Sequence, residues 1–299
     1  MQPEIEVKGA VKKFGKTIGI NNLTFSSIPG VNIILGPNGA GKSTLLRCID
    51  GLYRIDKGTV NVMGADPYGN DPLRSTMSYL SDNYALYDYL TVEDNLKFFG
   101  RLYGIDDAAT SERSKGILKE LNALEYLNSR IYELSRGTKQ KIALCRALLN
   151  NPSILLLDEP TAFLDANSSE SIRKILQKFG REKKTVILVT QKLDEVTRFN
   201  CRVAVINKGR IVKDSTTSGL YSTILKNSFV NIRLASPISK STATGIPGFN
   251  SSNESEATNI KIKIRSYRDI NRAVEYLIDN GAYIVSIDYI EPLIESLSW

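Results

Sequence analysis

A glycine-rich stretch early in the chain has the residue types and spacing of a phosphate-binding loop. Residues 36–44 read GPNGAGKST and match the pattern G-x-x-x-x-G-K-[ST], between an apolar run VNIIL and a helix-forming run STLLRCI. Gly36, Gly39 and Gly41 let backbone N–H groups converge on phosphate oxygens, and a helix N-terminus adds partial positive charge. A chance glycine-rich turn is the alternative, and the complete match in a strand–loop–helix context argues against it.

The same motif assigns roles to individual side chains. Lys42 is expected to reach the β- and γ-phosphates of a nucleotide, and the hydroxyl of Ser43 is expected to coordinate Mg²⁺. The predicted phosphate-binding residues are Gly36, Pro37, Asn38, Gly39, Ala40, Gly41, Lys42, Ser43 and Thr44. The stretch therefore predicts a site for ATP and Mg²⁺.

A pair of carboxylates follows another apolar run. Residues 154–157 read ILLL, and Asp158 and Glu159 come directly after them, where a buried strand would end. Asp158 is expected to hold the metal through water, and Glu159 is expected to polarise an attacking water, as general base or as its positioner. Alone, such a pair also fits a solvated turn. Beside the phosphate loop it predicts hydrolysis.

A third apolar run, TVILVT, ends immediately before Gln191, in a chain that contains no histidine. An amide at a strand end can hydrogen-bond a phosphate or a water, but it cannot take up a proton near neutral pH. If the reaction needs a cation at this position as charge develops, the sequence predicts slow turnover.

Composition limits the class of protein. The 299 residues carry a formal charge of +7, and the excess lies in residues 1–215, which hold 31 Lys/Arg and 24 Asp/Glu. A basic surface suits nucleic acid, anionic lipid or an anionic ligand, and charge alone does not choose among them. No apolar run approaches the roughly 20 residues that span a bilayer. The first residues lack the pattern of a secretory signal, and the three widely spaced cysteines are expected to be reduced thiols.

The elements that must position these residues follow an alternating pattern. Short β-rich runs alternate with amphipathic helical runs through the basic part of the chain, and apolar strands without polar alternation predict buried parallel strands in an α/β fold. The nucleotide-binding domain is expected to span residues 1–220, with a helical subdomain at about 83–150. Residues 221–299 are expected to form a small α+β domain. Within it, the Ser-, Gly- and Pro-rich stretch 236–258 is interpreted as a flexible loop, and the final run EPLIESLSW as the start of a short helix.

A further motif connects this predicted site to a known family. Residues 134–141 read LSRGTKQK, and with them the chain resembles the ATP-binding subunits of ABC transporters from residue 4 to about residue 215. The match to the family's signature is Leu134, Ser135, Arg136 and Gly137, with arginine where the commonest form has a second glycine. The resemblance implies a P-loop NTPase of ABC ATPase type, with a mixed sheet core and a helical subdomain, that binds ATP and Mg²⁺.

The resemblance also implies a dimer. In the family, the residues at the positions of Ser135 and Gly137 contact ATP held by the phosphate loop of a second subunit, and the residue at the position of Asp165, in TAFLD, faces that partner. Hydrolysis is therefore expected to need a head-to-tail pair. An ordinary N-capped helix with a basic first turn is the alternative for the signature segment.

Three other positions carry over from the family. Phe14 falls where an aromatic side chain stacks on adenine, with a plain core phenylalanine as the alternative. Gln191 occupies the position of the switch histidine. Asp82 stands where a glutamine usually touches Mg²⁺; an aspartate can ligate the metal but adds negative charge near the triphosphate. Because Glu159 is present, the resemblance implies a working but atypical ATPase.

The segment at 84–90 bears on partners. It contains Tyr84, Tyr87 and Tyr89, and in the family this region forms the groove that receives a short helix from a transmembrane subunit. Packing within the helical subdomain is the alternative for each tyrosine. Together with an α+β tail after about residue 225, the stretches LYDYLTVEDNL and GVNIILGPNGAGKST resemble the ATPases of ABC-2-type exporters. This implies a peripheral protein that powers export at the cytoplasmic face of the cell membrane.

Two other functions stay open. A degenerate regulatory subunit would bind ATP while a paralogous partner hydrolyses it; Asp82 and Gln191 favour this interpretation and Glu159 opposes it. A soluble ABC factor acting on ribosomes or DNA would suit the basic charge. Such factors carry two ATPase domains, or a coiled coil that splits the domain, and this sequence has one ATPase domain and no heptad run. No nucleic acid partner is therefore expected.

Overall fold

The computed structural model describes residues 4–81, 83–162, 164–226, 228–251 and 256–290. The chain divides into two compact units, Met1–Ser215 and Thr216–Trp299. The division falls at residue 215, five residues before the predicted domain boundary at 220. Asp82 and the final run EPLIESLSW lie outside the described residues, so the expectations for them stay predictions.

The first unit combines two sheets with a set of helices. Its described strands are β1 (Ile5–Phe14), β2 (Thr17–Ser26), β3 (Gly30–Leu35), β4 (Lys57–Val62), β5 (Met77–Leu80), β6 (Ile154–Asp158), β7 (Thr185–Thr190), β8 (Arg202–Asn207) and β9 (Arg210–Thr216). Its described helices are α1 (Lys42–Ile49), α2 (Asp71–Arg74), α3 (Val92–Leu102), α4 (Asp107–Glu120), α5 (Arg136–Leu148), α6 (Ala166–Arg181) and α7 (Leu193–Thr197), with 3-10 turns at Leu124–Tyr126 and Ile131–Glu133.

A six-stranded sheet with the order β5–β6–β7–β3–β8–β9 forms the centre of the first unit. The neighbouring pairs from β5 to β8 are parallel, which confirms the predicted α/β architecture. Every residue of β6 and β7 is buried, so both faces need apolar side chains and the runs show no polar alternation. Leu35 pairs with Thr190 and Asp158 with Val189. The carboxyl ends of β3, β6 and β7 therefore lie side by side, and the residues after them meet at one edge.

Two smaller assemblies complete the first unit. Strands β2, β1 and β4 form an antiparallel sheet, and β1 ends at Phe14. Helices α3, α4 and α5 pack against one another, within the region predicted as helical. Side-chain caps define where these helices begin: Thr91 accepts a hydrogen bond from the N–H of Asp94 at 3.1 Å, and Asp106 from the N–H of Ala109 at 2.8 Å.

The second unit has the element order helix, strand, helix, strand, strand, helix, strand. Its described elements are α8 (Thr217–Lys226), β10 (Phe229–Ser239), α9 (Lys240–Thr244), β11 (Phe249–Ser251), β12 (Glu256–Lys263), α10 (Tyr267–Asp279) and β13 (Ile284–Ile290). The four strands form an antiparallel sheet in the order β11–β12–β10–β13. From β10 onward this is the β-α-β-β-α-β arrangement of ferredoxin-like folds. Its core includes Ile232 and Ile260, which pair across the sheet, and Leu277 of α10.

The interpretation of residues 236–258 as a flexible loop is wrong for the part that the structure describes. Strand β10 continues to Ser239, and α9 and β11 follow it. Ser239 caps α9 by accepting the N–H of Thr242 at 3.1 Å, and Ala243 is fully buried in the core of the unit. The many Ser, Thr and Gly residues act here as caps and turns between short elements, and composition alone cannot tell this from a linker.

Across the parts of the chain that the structure covers, no helix combines the length and the apolar character that crossing a membrane requires.

Candidate nucleotide-binding site

A cavity of about 370 Å³ lies where the three parallel strands end. The phosphate loop, the end of β1 and the carboxylate pair all contribute to its wall. It is lined by Phe14, Thr17, Ile18, Gly19, Asn38, Gly39, Gly41, Lys42, Ser43, Thr44, Asp158 and Glu159. The structure thus brings together, in one cavity, residues that the sequence places more than a hundred positions apart.

Two glycines of the phosphate loop are required by packing. A Cβ on Gly36 would lie 2.3 Å from the carbonyl oxygen of Ile206 in β8, and a Cβ on Gly41 would lie 2.2 Å from that of Gly19 in β2. Gly41 also has φ of 102°, which disfavours other residues. These positions therefore fit the loop against its neighbouring strands, a role that the motif alone does not reveal.

Lys42 is the basic residue among those that line the cavity, and it is buried. Its Nζ donates hydrogen bonds to the carbonyl oxygens of Gly36 at 2.8 Å and Pro37 at 3.0 Å, and it lies 3.9 Å from Oε1 of Glu159. Burial lowers the pKa of Lys42, and the carboxylates of Glu159 and Asp158 oppose that shift. The two hydrogen bonds to Gly36 and Pro37 hold the ammonium group beside the first turn of α1. No side chain at Gly41 caps the N–H groups of that turn. This is the arrangement that helix termini offer to phosphate groups.

Glu159 is held by the last residue of β7 and by the residue after it. Its backbone has φ of 49°, in the left-handed region. Its carboxylate accepts hydrogen bonds from the hydroxyl of Thr190 at 3.1 Å and from the backbone N–H of Gln191 at 2.9 Å. Burial raises the pKa of Glu159, while Lys42 and these two donors act in the opposite direction. A carboxylate that is oriented and has a raised pKa is suited to accept a proton from water.

The structure assigns to Gln191 a contact that differs from the predicted one. Its backbone N–H reaches Glu159, while the residue itself is exposed. Thr190 supplies the side-chain donor and also accepts the N–H of Lys192 at 3.0 Å. No motif in the sequence points to Thr190. Its position, as the polar residue directly after the apolar residues VILV, is the signal that could have found it.

The proposed metal-binding residues fit Mg²⁺ in their donor chemistry. Ser43 supplies a hydroxyl and Asp158 a carboxylate at the same cavity. Mg²⁺ usually takes one or two protein oxygens and completes its octahedron with phosphates and waters. Within the described ranges, no group of three or more His, Cys, Asp or Glu residues is placed to hold a metal by itself. The hydroxyl of Tyr79 lies 3.4 Å from Oδ2 of Asp158, a contact that the sequence alone did not predict.

Phe14 is not a core residue. It is 44% exposed and contributes to the wall of the cavity. Its ring meets that of Tyr53 edge-on, with centroids 5.3 Å apart, and the ammonium group of Lys12 lies 5.5 Å from its centroid. A partly exposed ring supported from behind is suited to stack on a planar base.

The residues expected to face a second subunit lie outside this cavity. Ser135 caps α5 by accepting the N–H of Thr138 at 3.1 Å, so Gly137 falls in the first turn of that helix. Asp165 caps α6 by accepting the N–H of Ser168 at 2.9 Å and its hydroxyl at 2.7 Å. These bonds from Ser168 hold the pKa of Asp165 below its usual value. Each residue thus stands at a helix N-terminus of its own chain.

Two tyrosines of the segment 84–90, Tyr87 and Tyr89, differ in their packing. Tyr87 packs against Phe98 of α3, with ring centroids 4.9 Å apart, although half of its surface is exposed. Tyr89 is 84% exposed and lies 6.1 Å from Tyr132, measured between ring centroids. Packing within the helical subdomain therefore accounts for Tyr87 better than for Tyr89.

Comparison with known proteins decides the family. The sequence pattern described as "ABC transporter" matches residues 20–162. The ABC transporter ATP-binding protein NatA of Bacillus subtilis is 34% identical over 70% of this chain and 86% of its own length. The chain belongs to the ABC transporter family. Its first unit carries the family's ATP-binding domain, and the chain is accordingly an ATPase of ABC type that uses ATP and Mg²⁺.

Two further relatives of this ABC ATPase extend the comparison. The spermidine/putrescine import ATP-binding protein PotA of Nitrosomonas eutropha is 33% identical over 73% of the chain, a stretch that spans 61% of PotA itself. The dimeric post-hydrolysis ATP-binding cassette MJ0796, bound to ADP and Pi, superposes with a TM-score of 0.65 and 26% identity, covering 71% of this chain and 98% of that one. The shared stretch therefore corresponds in extent to the first unit.

Proposed function

We propose that this ABC ATPase acts as one of two ATP-hydrolysing subunits that drive a separate transmembrane protein. The observation that carries the proposal is the placement of Glu159, oriented by Thr190 and Gln191 and 3.9 Å from Lys42 in the cavity of the phosphate loop. A general base, a phosphate-binding cation and metal-binding oxygens are then available at one place.

Each residue has a defined role in this proposal. Lys42 and the N–H groups that open α1 bind the β- and γ-phosphates, and Phe14 stacks on adenine. Bound Mg²⁺ would neutralise phosphate charge, with Ser43 and Asp158 as its protein ligands. Glu159 holds the attacking water and takes up its proton, which its raised pKa favours. Gln191 contributes its backbone N–H to Glu159 and leaves its amide for the γ-phosphate.

The signature segment supports a head-to-tail dimer. Ser135, Gly137 and Asp165 lie at helix N-termini but outside the cavity of their own chain, so a second subunit is needed to use them. The similar cassette MJ0796 is dimeric in its post-hydrolysis state. Each subunit would then complete the site of the other.

The exposed Tyr89 supports docking of a transmembrane partner at the segment 84–90, because an exposed aromatic side chain is a typical anchor at interfaces. The subunit would lie peripherally at the cytoplasmic face of the cell membrane. We propose export as the direction, on the resemblance of LYDYLTVEDNL and of the tail to ABC-2-type exporters. The name of PotA as an import protein gives that direction no support. The test uses vesicles that contain the whole transporter, with ATP on the side of the ATP-binding subunits. Export moves substrate away from that side, and import moves substrate toward it.

A regulatory subunit that does not hydrolyse ATP is the second candidate. The exposed Gln191 at the switch position favours it, because no side chain there can become cationic. The orientation of Glu159 opposes it.

ATP turnover by the purified chain with Mg²⁺, measured across protein concentrations, distinguishes the two. Turnover that rises more steeply than linearly with concentration, and is lost in Glu159→Gln, is expected of a catalytic homodimer. ATP binding without turnover at any concentration would identify the regulatory subunit.

A further inference from the structure

A buried carboxylate lies in α7, the helix that follows β7. Glu195 of α7 is 3% exposed and accepts a hydrogen bond from the hydroxyl of Thr161 at 2.8 Å and from Nε of Arg173, in α6, at 3.2 Å. Thr161 is 3% exposed and Arg173 is 9% exposed. Removing one partner of such a buried pair leaves polar groups that water cannot reach.

The two carboxylates link the segments at the carboxyl ends of β6 and β7, one in each direction. Glu159, which follows β6, accepts hydrogen bonds from Thr190, the last residue of β7, and from Gln191, which comes next. Glu195, which follows β7, accepts from Thr161, which follows β6. Each of these two segments therefore supplies a carboxylate to the other and receives a hydrogen-bond donor from it.

This reciprocity bears on the backbone of Glu159. Its φ of 49° is a conformation that a non-glycine residue keeps only when its surroundings hold it. The N–H of Glu159 donates to the carbonyl of Val189 at 3.0 Å, and its carbonyl accepts the N–H of Ala162 at 3.0 Å, which closes a turn containing Thr161. The side chain of Thr161 ties that turn to α7.

We propose that Thr161 and Glu195, with Arg173 balancing the buried charge, are positioning residues that hold Glu159 against the substrate water. They do not line the nucleotide cavity, so their effect reaches the reaction through Glu159. Arg173 also pairs with Glu170 of α6 at 2.7 Å, and this second contact helps to orient its guanidinium group. This inference rests on the catalytic role proposed for Glu159.

The test compares full-length chains that differ at one hydroxyl. Thr161→Val removes the donor and preserves the shape, and Thr161→Ser restores the donor. Thr185→Val is the matched control. Thr185 is the fully buried first residue of β7, at the opposite end of that strand from Thr190, and its hydroxyl has no hydrogen-bond partner among the described residues. Steady-state kcat and the Kd for ATP with Mg²⁺ are measured for each.

We expect Thr161→Val to lower kcat by about 10- to 100-fold, as for a misplaced catalytic group. Its Kd for ATP is expected to stay close to that of the wild type, and Thr161→Ser to recover most of the lost kcat. Thr185→Val is expected to match the wild type in both constants. Equal kcat in Thr161→Val and Thr185→Val would overturn the proposal. So would a parallel loss of ATP affinity, which points to a purely structural role.

Thr161→Ala guards against a folding defect specific to valine. Thr161→Val and Thr161→Ala remove the same hydroxyl but leave side chains of different volume. If both lower kcat and leave the Kd for ATP unchanged, the cause is the lost hydrogen bond. Glu159→Gln separates the two proposals. If it retains turnover, the role of Glu159 is wrong; if it is inactive while Thr161→Val is fully active, only the positioning role is wrong.

Discussion

The backbone N–H of Gln191 donates a 2.9 Å hydrogen bond to Oε1 of Glu159. Because this donor belongs to the main chain, it does not depend on which side chain stands at position 191. The carboxylate can thus be oriented in a protein that has no histidine. What the glutamine cannot supply is a positive charge as the reaction proceeds.

Substitutions at positions 190 and 191 separate the orientation of Glu159 from the supply of positive charge. Gln191→Ala keeps the backbone donor, so we expect its kcat to fall less than about tenfold. Thr190→Val removes the side-chain donor to Glu159 and is expected to lose more. Gln191→His is expected to raise kcat if a cation assists. Steady-state ATP turnover measures all three, and a larger loss in Gln191→Ala than in Thr190→Val would contradict the assignment.

The raised pKa of Glu159 links stability to pH. A folded-state pKa above the unfolded value contributes stability that is present at low pH and lost as pH rises through the folded pKa. At neutral pH the charged carboxylate therefore opposes folding, and Glu159→Gln is expected to raise Tm there while abolishing turnover. The difference in Tm should narrow below about pH 4, where both side chains are neutral.

Thermal unfolding at several pH values checks this, with Glu112→Gln as control. Glu112 is an exposed residue of α4, and its substitution should shift Tm little. A Glu159→Gln protein that is less stable than the wild type at neutral pH would contradict the prediction.

The position of Phe14 predicts a measurable share of nucleotide affinity. Stacking on a base contributes about 1–3 kcal/mol, so Phe14→Ala is expected to raise the Kd for ATP by roughly 5- to 150-fold. Phe14→Tyr should keep the affinity within a few-fold of the wild type. Tyr68→Ala, at an exposed aromatic residue outside the cavity, is the control. Calorimetric titration gives each Kd, and an unchanged value for Phe14→Ala would exclude stacking.

The contact between Tyr79 and Asp158 predicts an effect on the metal. Tyr79→Phe removes the hydroxyl that lies 3.4 Å from Oδ2 of Asp158. Loss of such an orienting contact typically weakens metal binding by about 10- to 100-fold. The Mg²⁺ concentration for half-maximal turnover is therefore expected to rise by about tenfold, with kcat at saturating Mg²⁺ largely retained. A Mg²⁺ dependence equal to that of the wild type would show that the contact is without consequence.

Mixing two inactive variants tests the head-to-tail arrangement. Glu159→Gln disables the catalytic half-site, and Gly137→Glu places bulk and negative charge in the signature half-site without removing the Ser135 cap. In a mixed dimer one site combines the two intact halves. An equal mixture is expected to recover roughly a quarter of wild-type turnover if subunits pair at random. Each variant alone should stay inactive, and an inactive mixture would contradict the arrangement.

Local motifs in the sequence predict which residues meet at the cavity. The contacts between residues of different strands could not be predicted in this way. Two contiguous motifs, each preceded by a strand, contain Lys42, Ser43, Asp158 and Glu159. Because parallel strands end at the same edge of a sheet, the two motifs are expected to lie together. The partners Thr190 and Tyr79 belong to other strands, and their contacts depend on the register that folding sets.

The same limit explains the error at residues 236–258. Serine, threonine and glycine are common both in linkers and at the caps and turns of short elements. The strand pairing of β10 with β12, from Phe229 with Lys263 onward, decides between them, and no window of the sequence contains it.

The close packing of the phosphate loop has a kinetic consequence. Gly36 approaches Ile206 and Gly41 approaches Gly19 so tightly that a single methyl group would not fit. A loop held in this way by its own protein keeps its shape before nucleotide arrives, and little conformational entropy is lost on binding. Association with ATP should then be fast, and solvent viscosity should slow it only through its effect on diffusion. Slow steps in the cycle would lie in subunit closure and reopening.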